Sequence, residues 1–241
     1  MKSLFLFVTI LSVSIFSAQS KNIYVQYSVK LHDEEILAKA DPDFRGLFVD
    51  AMSSADRMLF GLIINNSGSK FYQIPLLGTS EDDKIRTSTI FIGFSGEIYQ
   101  FEEYTYSESN TFGKDILVKE VLKDNWQLHS ETKMIDNFLC YKATNIHRVK
   151  NGSNKIFNHP VIAWYCPELP FPYGPNGYNN LPGLILQLQV RNVVFAAKQI
   201  DLNSDLDFDS SFLKKAKTMT LDELNAKIED EMQQLKNSVK D

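Results

Sequence analysis

Residues Ile162–Val190 read IAWYCPELPFPYGPNGYNNLPGLILQLQV. The stretch runs from an apolar strand through a proline-rich elbow and glycine-proline turns into a second apolar strand. Pro fixes φ and breaks a ladder, while Gly allows a sharp bend or a close approach of backbones. Such a segment steers one strand onto another at a fixed angle, so the chain around it is expected to be sheet. The rest agrees. Aromatic residues favour strands, and the chain has 17 Phe and 10 Tyr in 241 residues. At 44% apolar and 23% charged it has enough material for one sizeable core. A net charge of -5 leaves no basic footprint for nucleic acid.

Upstream of the elbow, Cys140 lies in FLCYKATNIHRV and Cys166 in VIAWYC. The two runs flank Lys150-Asn151-Gly152-Ser153-Asn154, a turn-rich loop. An antiparallel hairpin centred on Ser153 sets Cys140 opposite Cys166, within reach of a disulfide; two buried free thiols are the alternative. The same register sets His147 beside His159 on the opposite face, a weak candidate for Zn or Cu that lacks a third ligand, and Lys142 opposite Trp164, which permits a cation-π contact.

The N-terminus, MKSLFLFVTILSVSIFSAQS, has Lys2, an uncharged apolar run and small residues at Ala18 and Ser20. This is the pattern of a signal peptide over residues 1–20, too short for a comfortable membrane span, and it predicts an exported mature chain beginning near Lys21. Oxidising surroundings would then favour the disulfide.

In the mature chain, Ile23, Val25, Tyr27, Val29 and Leu31 alternate with mostly polar residues and predict a half-buried strand. Asp41 as N-cap and Pro42 at the first helical position predict a short helix carrying Phe44, Leu47, Phe48, Ala51 and Met52. From Leu59 the pattern is an antiparallel meander. LFGLIIN and KFYQIPL flank Asn65-Asn66-Ser67-Gly68, TSTIFIGF and EIYQFEEYTY flank Ser95-Gly96, DILVKEVL and WQLHSET flank Lys123-Asp124-Asn125, and GLILQLQV and VVFAAKQI flank Arg191-Asn192. No linker interrupts it. Residues 21–212 are therefore expected to form one β domain. Residues 213–241 are expected to carry an amphipathic helix packed on it, opened by a Thr220/Glu223 capping box and presenting Leu221, Leu224, Ile228, Met232, Leu235 and Val239. Asp201, Asp205, Asp207 and Asp209 lack the Gly and Glu of a calcium loop and read as a solvated acidic linker.

Tyr173-Gly174-Pro175 and Asn180-Leu181-Pro182-Gly183-Leu184-Ile185-Leu186, preceded by Ala163-Trp164-Tyr165 and, further upstream, by Lys133-x-Ile135 and Cys140-Tyr141-Lys142-Ala143, carry a family resemblance. The second half of the chain resembles the GLPGLI family, exported proteins of the Bacteroidota named for this motif and without an established biochemical role. The family's first glycine is Asn180 here, and Asn also tolerates a positive φ. Together with the meander, the resemblance implies a fold similar to the periplasmic lipoprotein carriers: a half-open barrel of antiparallel strands with a helix across its mouth. The fold class expected is thus mainly β with helical additions.

No G-x-S-x-G, H-E-x-x-H, phosphate loop or dinucleotide fingerprint is present. The expectation is a non-catalytic exported protein of the periplasm, the outer-membrane surface or the extracellular medium that needs no cofactor. It would bind a hydrophobic or peptide ligand, or an outer-membrane transport partner. The alternative is a hydrolase with an unrecognised site.

Overall fold

The structure, a computed structural model, describes residues 22–34, 39–76, 82–109, 116–150 and 155–238. The expected signal peptide and the centre of the Asn151–Asn154 turn lie outside them. Among the described residues the protein is mainly β: a single curved sheet of 12 strands with three helices.

The first strand, β1 (Asn22–Leu31), buries alternate residues as its pattern requires and becomes the middle of the sheet. On one side it pairs antiparallel with β2 (Leu59–Asn65), followed outward by β3 (Gly68–Gln73), β4 (Ile98–Phe101), β5 (Tyr104–Glu108) and β6 (Ile116–Val121). On the other it pairs antiparallel with β11 (Val193–Ser204), followed by β10 (Leu184–Val190), β9 (Ile156–Cys166), β8 (Phe138–Lys150) and β7 (Gln127–Ile135). Two meanders thus meet along the β1–β11 seam. The short strand β12 (Lys217–Met219) adds to β6 in parallel.

Three expected connections are corrected. TSTIFIGF is not a strand: it lies across helix α2 (Asp82–Phe91) and the turn that follows. Its β-branched residues favour strand, but Ile85, Ser88 and Ile92 fall on one helical face, and packing on helix α1 (Pro42–Ala55) decides the outcome. Ser88 is fully buried and donates to the Ala51 carbonyl at 3.1 Å, while Phe91 meets Phe48 edge-on at 5.3 Å. EIYQFEEYTY, expected as one strand, is itself the β4–β5 hairpin, turning at Glu102, whose φ is 56°. Finally, β6 and β7 are not neighbours across the Lys123–Asn125 turn. They stand near opposite ends of the sheet, so residues 122–126 are a crossover.

That crossover dictates curvature. Laid flat, ten strand spacings of ~4.8 Å would separate β6 from β7 by roughly 48 Å, whereas the residues between Val121 and Gln127 reach about 20 Å when extended. The sheet must roll its two flanks toward each other.

The core fills the middle of the rolled sheet. Phe60 stacks on Phe71 at 5.3 Å, and Phe94 and Phe195 meet Phe60 edge-on at 5.0 and 5.4 Å. Tyr27 is fully buried and donates to the Ile185 carbonyl at 2.7 Å, satisfying its hydroxyl across β11. Helix α1 begins as expected: the Asp41 side chain accepts from Asp43 N–H and Pro42 opens the first turn. Phe48, Ala51 and Ala55 are buried, while Phe44 and Leu47 face outward.

The acidic segment after Ile200 exposes Asp205, Asp207 and Asp209 as expected but is held on the sheet and is no free linker. Asp201 is still in β11, Asp207 accepts from Asn65 Nδ2 at 2.7 Å, and Phe208 and Leu213 pack in a second cluster with Tyr99, Phe101, Tyr106 and Leu117. The apolar residues between the acids hold this segment on the sheet. Helix α3 (Leu221–Ser238) starts on the expected capping box, Thr220 N–H donating to Glu223 Oε2 at 2.7 Å and Glu223 N–H to Thr220 Oγ1 at 3.2 Å. Its first turns face β6, with Leu224 buried and Ile228 half-buried. No helix among the described residues is long and apolar enough to cross a membrane.

Candidate functional site: a groove closed by the elbow

The elbow supplies the clamp that holds the crossover. Asn179 is buried; its Oδ1 accepts from Lys123 N–H at 2.8 Å, its Nδ2 donates to Thr105 Oγ1 and the Gly177 carbonyl at 3.0 Å, and its carbonyl accepts from Trp126 Nε1 at 2.9 Å. Asn180 takes a positive φ of 65° and donates from Nδ2 to the Lys123 carbonyl at 2.9 Å. Two consecutive asparagines therefore satisfy the backbone of the crossover on both its donor and acceptor sides. Sequence reading identified Asn180 as a turn residue and missed Asn179. The available signal was an Asn-Asn pair set between the apolar Tyr178 and Leu181, a setting that buries a side chain with four hydrogen-bonding positions.

The remaining motif residues build the turn into β10. Leu181, Leu184 and Ile185 are buried, and Leu184 N–H donates to the Leu169 carbonyl at 2.9 Å. Pro182 precedes Gly183, whose φ is 154° and where an added Cβ would stand 2.2 Å from the Cys166 carbonyl oxygen. Gly174 is also closely packed, an added Cβ there standing 2.7 Å from Ile185 Cβ, and the buried Pro175 opens a 3-10 turn. Trp164 carries Lys133 Nζ over its ring at 4.2 Å. The contact expected from Lys142 is made by Lys133 instead, because Lys142 is drawn to Glu131 at 2.9 Å. Desolvation holds the Lys133 pKa below its ordinary value.

The expected hairpin register is present, pairing His147 with His159 and Tyr141 with Tyr165, which sets Cys140 across from Cys166. Both thiols are buried and free, so the expected disulfide is not formed in this structure. Burial first, and the neighbouring Cys166 second, push the Cys140 thiol up to about 12. A thiol in that state is a poor nucleophile.

Between the rolled flanks lies an open groove of about 690 Å³. Ile98, Val118, Tyr178, Val193, Phe195 and Leu224 give it apolar walls. His147 and His159 enter from the β8–β9 hairpin and Glu120 and Lys123 from the far flank, the latter pair 3.7 Å apart. His147 keeps a solvent-open edge. Burial in the groove wall, then Lys123 and His159, hold its pKa below the usual range, opposed by Glu120. Among the described residues no three His, Cys, Asp or Glu side chains converge as a metal site. The arrangement suits an apolar ligand carrying a few polar atoms.

The fold class defined above is a curved, mainly antiparallel sheet enclosing a groove. Residues 153–187, from the hairpin turn through the elbow, match a family described as "Protein of unknown function (Porph_ging)". Among solved structures, PNGF-II in its P21 and C2 crystal forms matches with TM-scores of 0.48 and 0.47. Each is 14% identical over 87% of this chain, which spans about a third of that protein, 33% and 32% of its length. No curated protein matches the sequence.

Gly183→Ala should cost about 2 kcal/mol or more in urea unfolding, because the methyl strikes backbone and φ is unfavourable. Gly93→Ala, with φ of 68° and open space around it, should cost only about 1 kcal/mol. Equal losses would refute a steric role for Gly183. For His147, the unfolded chain holds the proton more tightly than the folded one, so stability falls as pH drops below about 6.5 and through the folded pKa. His147→Gln should flatten that acid limb in melting curves, and an imidazole NMR titration should place His147 below 6.5.

Proposed function

We propose that this is an exported, non-catalytic binding protein of the cell envelope, of the GLPGLI type, whose groove takes an apolar or peptide ligand or a segment of an outer-membrane transport partner. The observation that carries the reading is the groove itself. A filled barrel mouth would leave no room, whereas about 690 Å³ stands open between walls that mix apolar and polar residues, within the ~300–1,000 Å³ typical of ligand pockets. The motif Asn180–Leu186 lies wholly within the span matched by the family of unknown function, which supports this reading of the elbow. Export rests on the Lys2-led apolar N-terminus.

In an oxidising compartment the facing thiols of Cys140 and Cys166 would give up two protons and two electrons to a thiol-disulfide oxidant and join as a bridge. Burial and the raised thiol pKa make that step slow once the sheet has closed, so the bridge would form during folding.

The groove is testable directly. An environment-sensitive apolar dye should bind saturably, and Ser107→Trp, placing an indole in the groove wall, should abolish most of the signal without moving the melting temperature. Absence of saturable binding by both the dye and a library of short peptides would overturn the reading. Catalytic turnover of any ester, amide or glycoside that disappears in Glu120→Gln would favour the hydrolase alternative. Non-reducing peptide mapping of protein from the culture envelope should recover Cys140 and Cys166 in one linked species; separately alkylated peptides would refute the bridge.

A further inference from the structure

We propose that the outer edge of β9 beyond Val161 is a docking strand for an extended acidic segment of another polypeptide. The β8–β9 hairpin outruns both its neighbours. β10 pairs with β9 only as far as Val190 opposite Val161, and β7 pairs with β8 only as far as Gln127 opposite Thr144. Residues Asn145–Lys150 and Ile156–Pro160 pair with each other past that point, as a two-stranded arm. A lone two-stranded ribbon is marginal in water, and a third strand stabilises it.

The direction of the free backbone groups follows from one bond. Pro160 presents its carbonyl to the β10 side, accepting from Arg191 N–H at 3.0 Å. In an antiparallel ladder alternate residues address the same side, so Asn158 and Ile156 turn their N–H and C=O groups to this edge, where no strand stands among the described residues. The matching β8 edge is partly blunted, since Ile146 N–H is taken by Asn145 Oδ1 at 2.7 Å.

The side chains set the chemistry of the partner. From Asn137 to Pro167 the sequence contains Lys142, Arg148, Lys150 and Lys155 and no Asp or Glu, in a chain of net charge -5. Lys142 is engaged by Glu131; Arg148 and Lys150 belong to the arm, and Lys155, just before β9, holds its Nζ over the Phe157 ring at 5.1 Å. Arg148 stands directly opposite Asn158 and is long enough to reach across that short residue to a carboxylate on an added strand. Val149 and Phe157, paired with each other and each 38% exposed, lie on the face opposite Arg148, while Ile146 and Ile156 share its face. A partner strand alternating acidic and apolar residues meets both requirements, with backbone pairing for affinity and side chains for selection. A bilayer fits less well, because it would strand the free edge groups in hydrocarbon.

The test uses the full chain and a fluorescent peptide of about ten residues alternating Glu and Val, with a Lys/Val counterpart. The Glu/Val peptide should bind saturably and weaken as salt rises, and the Lys/Val peptide should not bind. Asn158→Pro deletes one outward N–H and leaves the β8–β9 ladder intact, and it should weaken binding roughly tenfold or more, as should Arg148→Glu. Circular dichroism melts establish that each variant is folded, and the two substitutions act independently, so failure of one to fold leaves the other decisive. Unchanged binding in both variants, equal binding of the Lys/Val peptide, or retention only by phosphatidylglycerol vesicles would overturn the proposal. Ser107→Trp should leave peptide binding at the arm unchanged, which separates this site from the groove.

Discussion

The structure depends on a short tether. Residues 122–126 must join β6 to β7, strands that a flat sheet would hold far beyond the reach of so few residues. Rolling the sheet solves this, and the groove between the flanks is the geometric result. A short crossover left as bare backbone would trade its water contacts for nothing. Asn179 and Asn180 remove that cost by bonding to both backbone groups of Lys123 and to the Trp126 ring. The elbow is therefore a fastening between the two flanks as well as an entry into β10.

Much of the fold was legible because its signals are local. Alternation marked β1, Asp41-Pro42 marked the start of α1, Thr220 with Glu223 marked that of α3, and Asn65-to-Gly68 marked the β2–β3 turn, where Asn65 Oδ1 accepts from Ser67 and Gly68 N–H. The register of the β8–β9 hairpin followed from a single turn position, since every later pair is then fixed. What failed is what no local pattern encodes. Thr87, Thr89 and Ile90 favour strand by propensity, yet α1 offers a surface to which only a helix can present Ser88 and Phe91 together. The Lys123–Asn125 segment has turn residues, but whether a turn joins neighbours or spans a mouth depends on strand order.

The groove was only partly legible for the same reason. His147 and His159 could be placed side by side from the register, while their approach to Glu120 and Lys123 belongs to the rolled sheet. The acidic tail was misread because charge dominates its composition. Its sparse apolar residues, Phe208 and Leu213 among them, decide its place on the sheet instead.

The position of β1 in the middle of the sheet governs how this chain can fold. Its inner partner β2 follows soon in sequence, but its other partner β11 lies far downstream, with Tyr24 facing Asp201 and Val29 facing Phe195. Contacts of such sequence separation are slow to form. As the polypeptide emerges, the half beginning at Asn22 must wait with an apolar ladder edge uncovered until the last strands arrive. A holding chaperone during synthesis would shield that edge, and its absence would show as aggregation of incomplete chains.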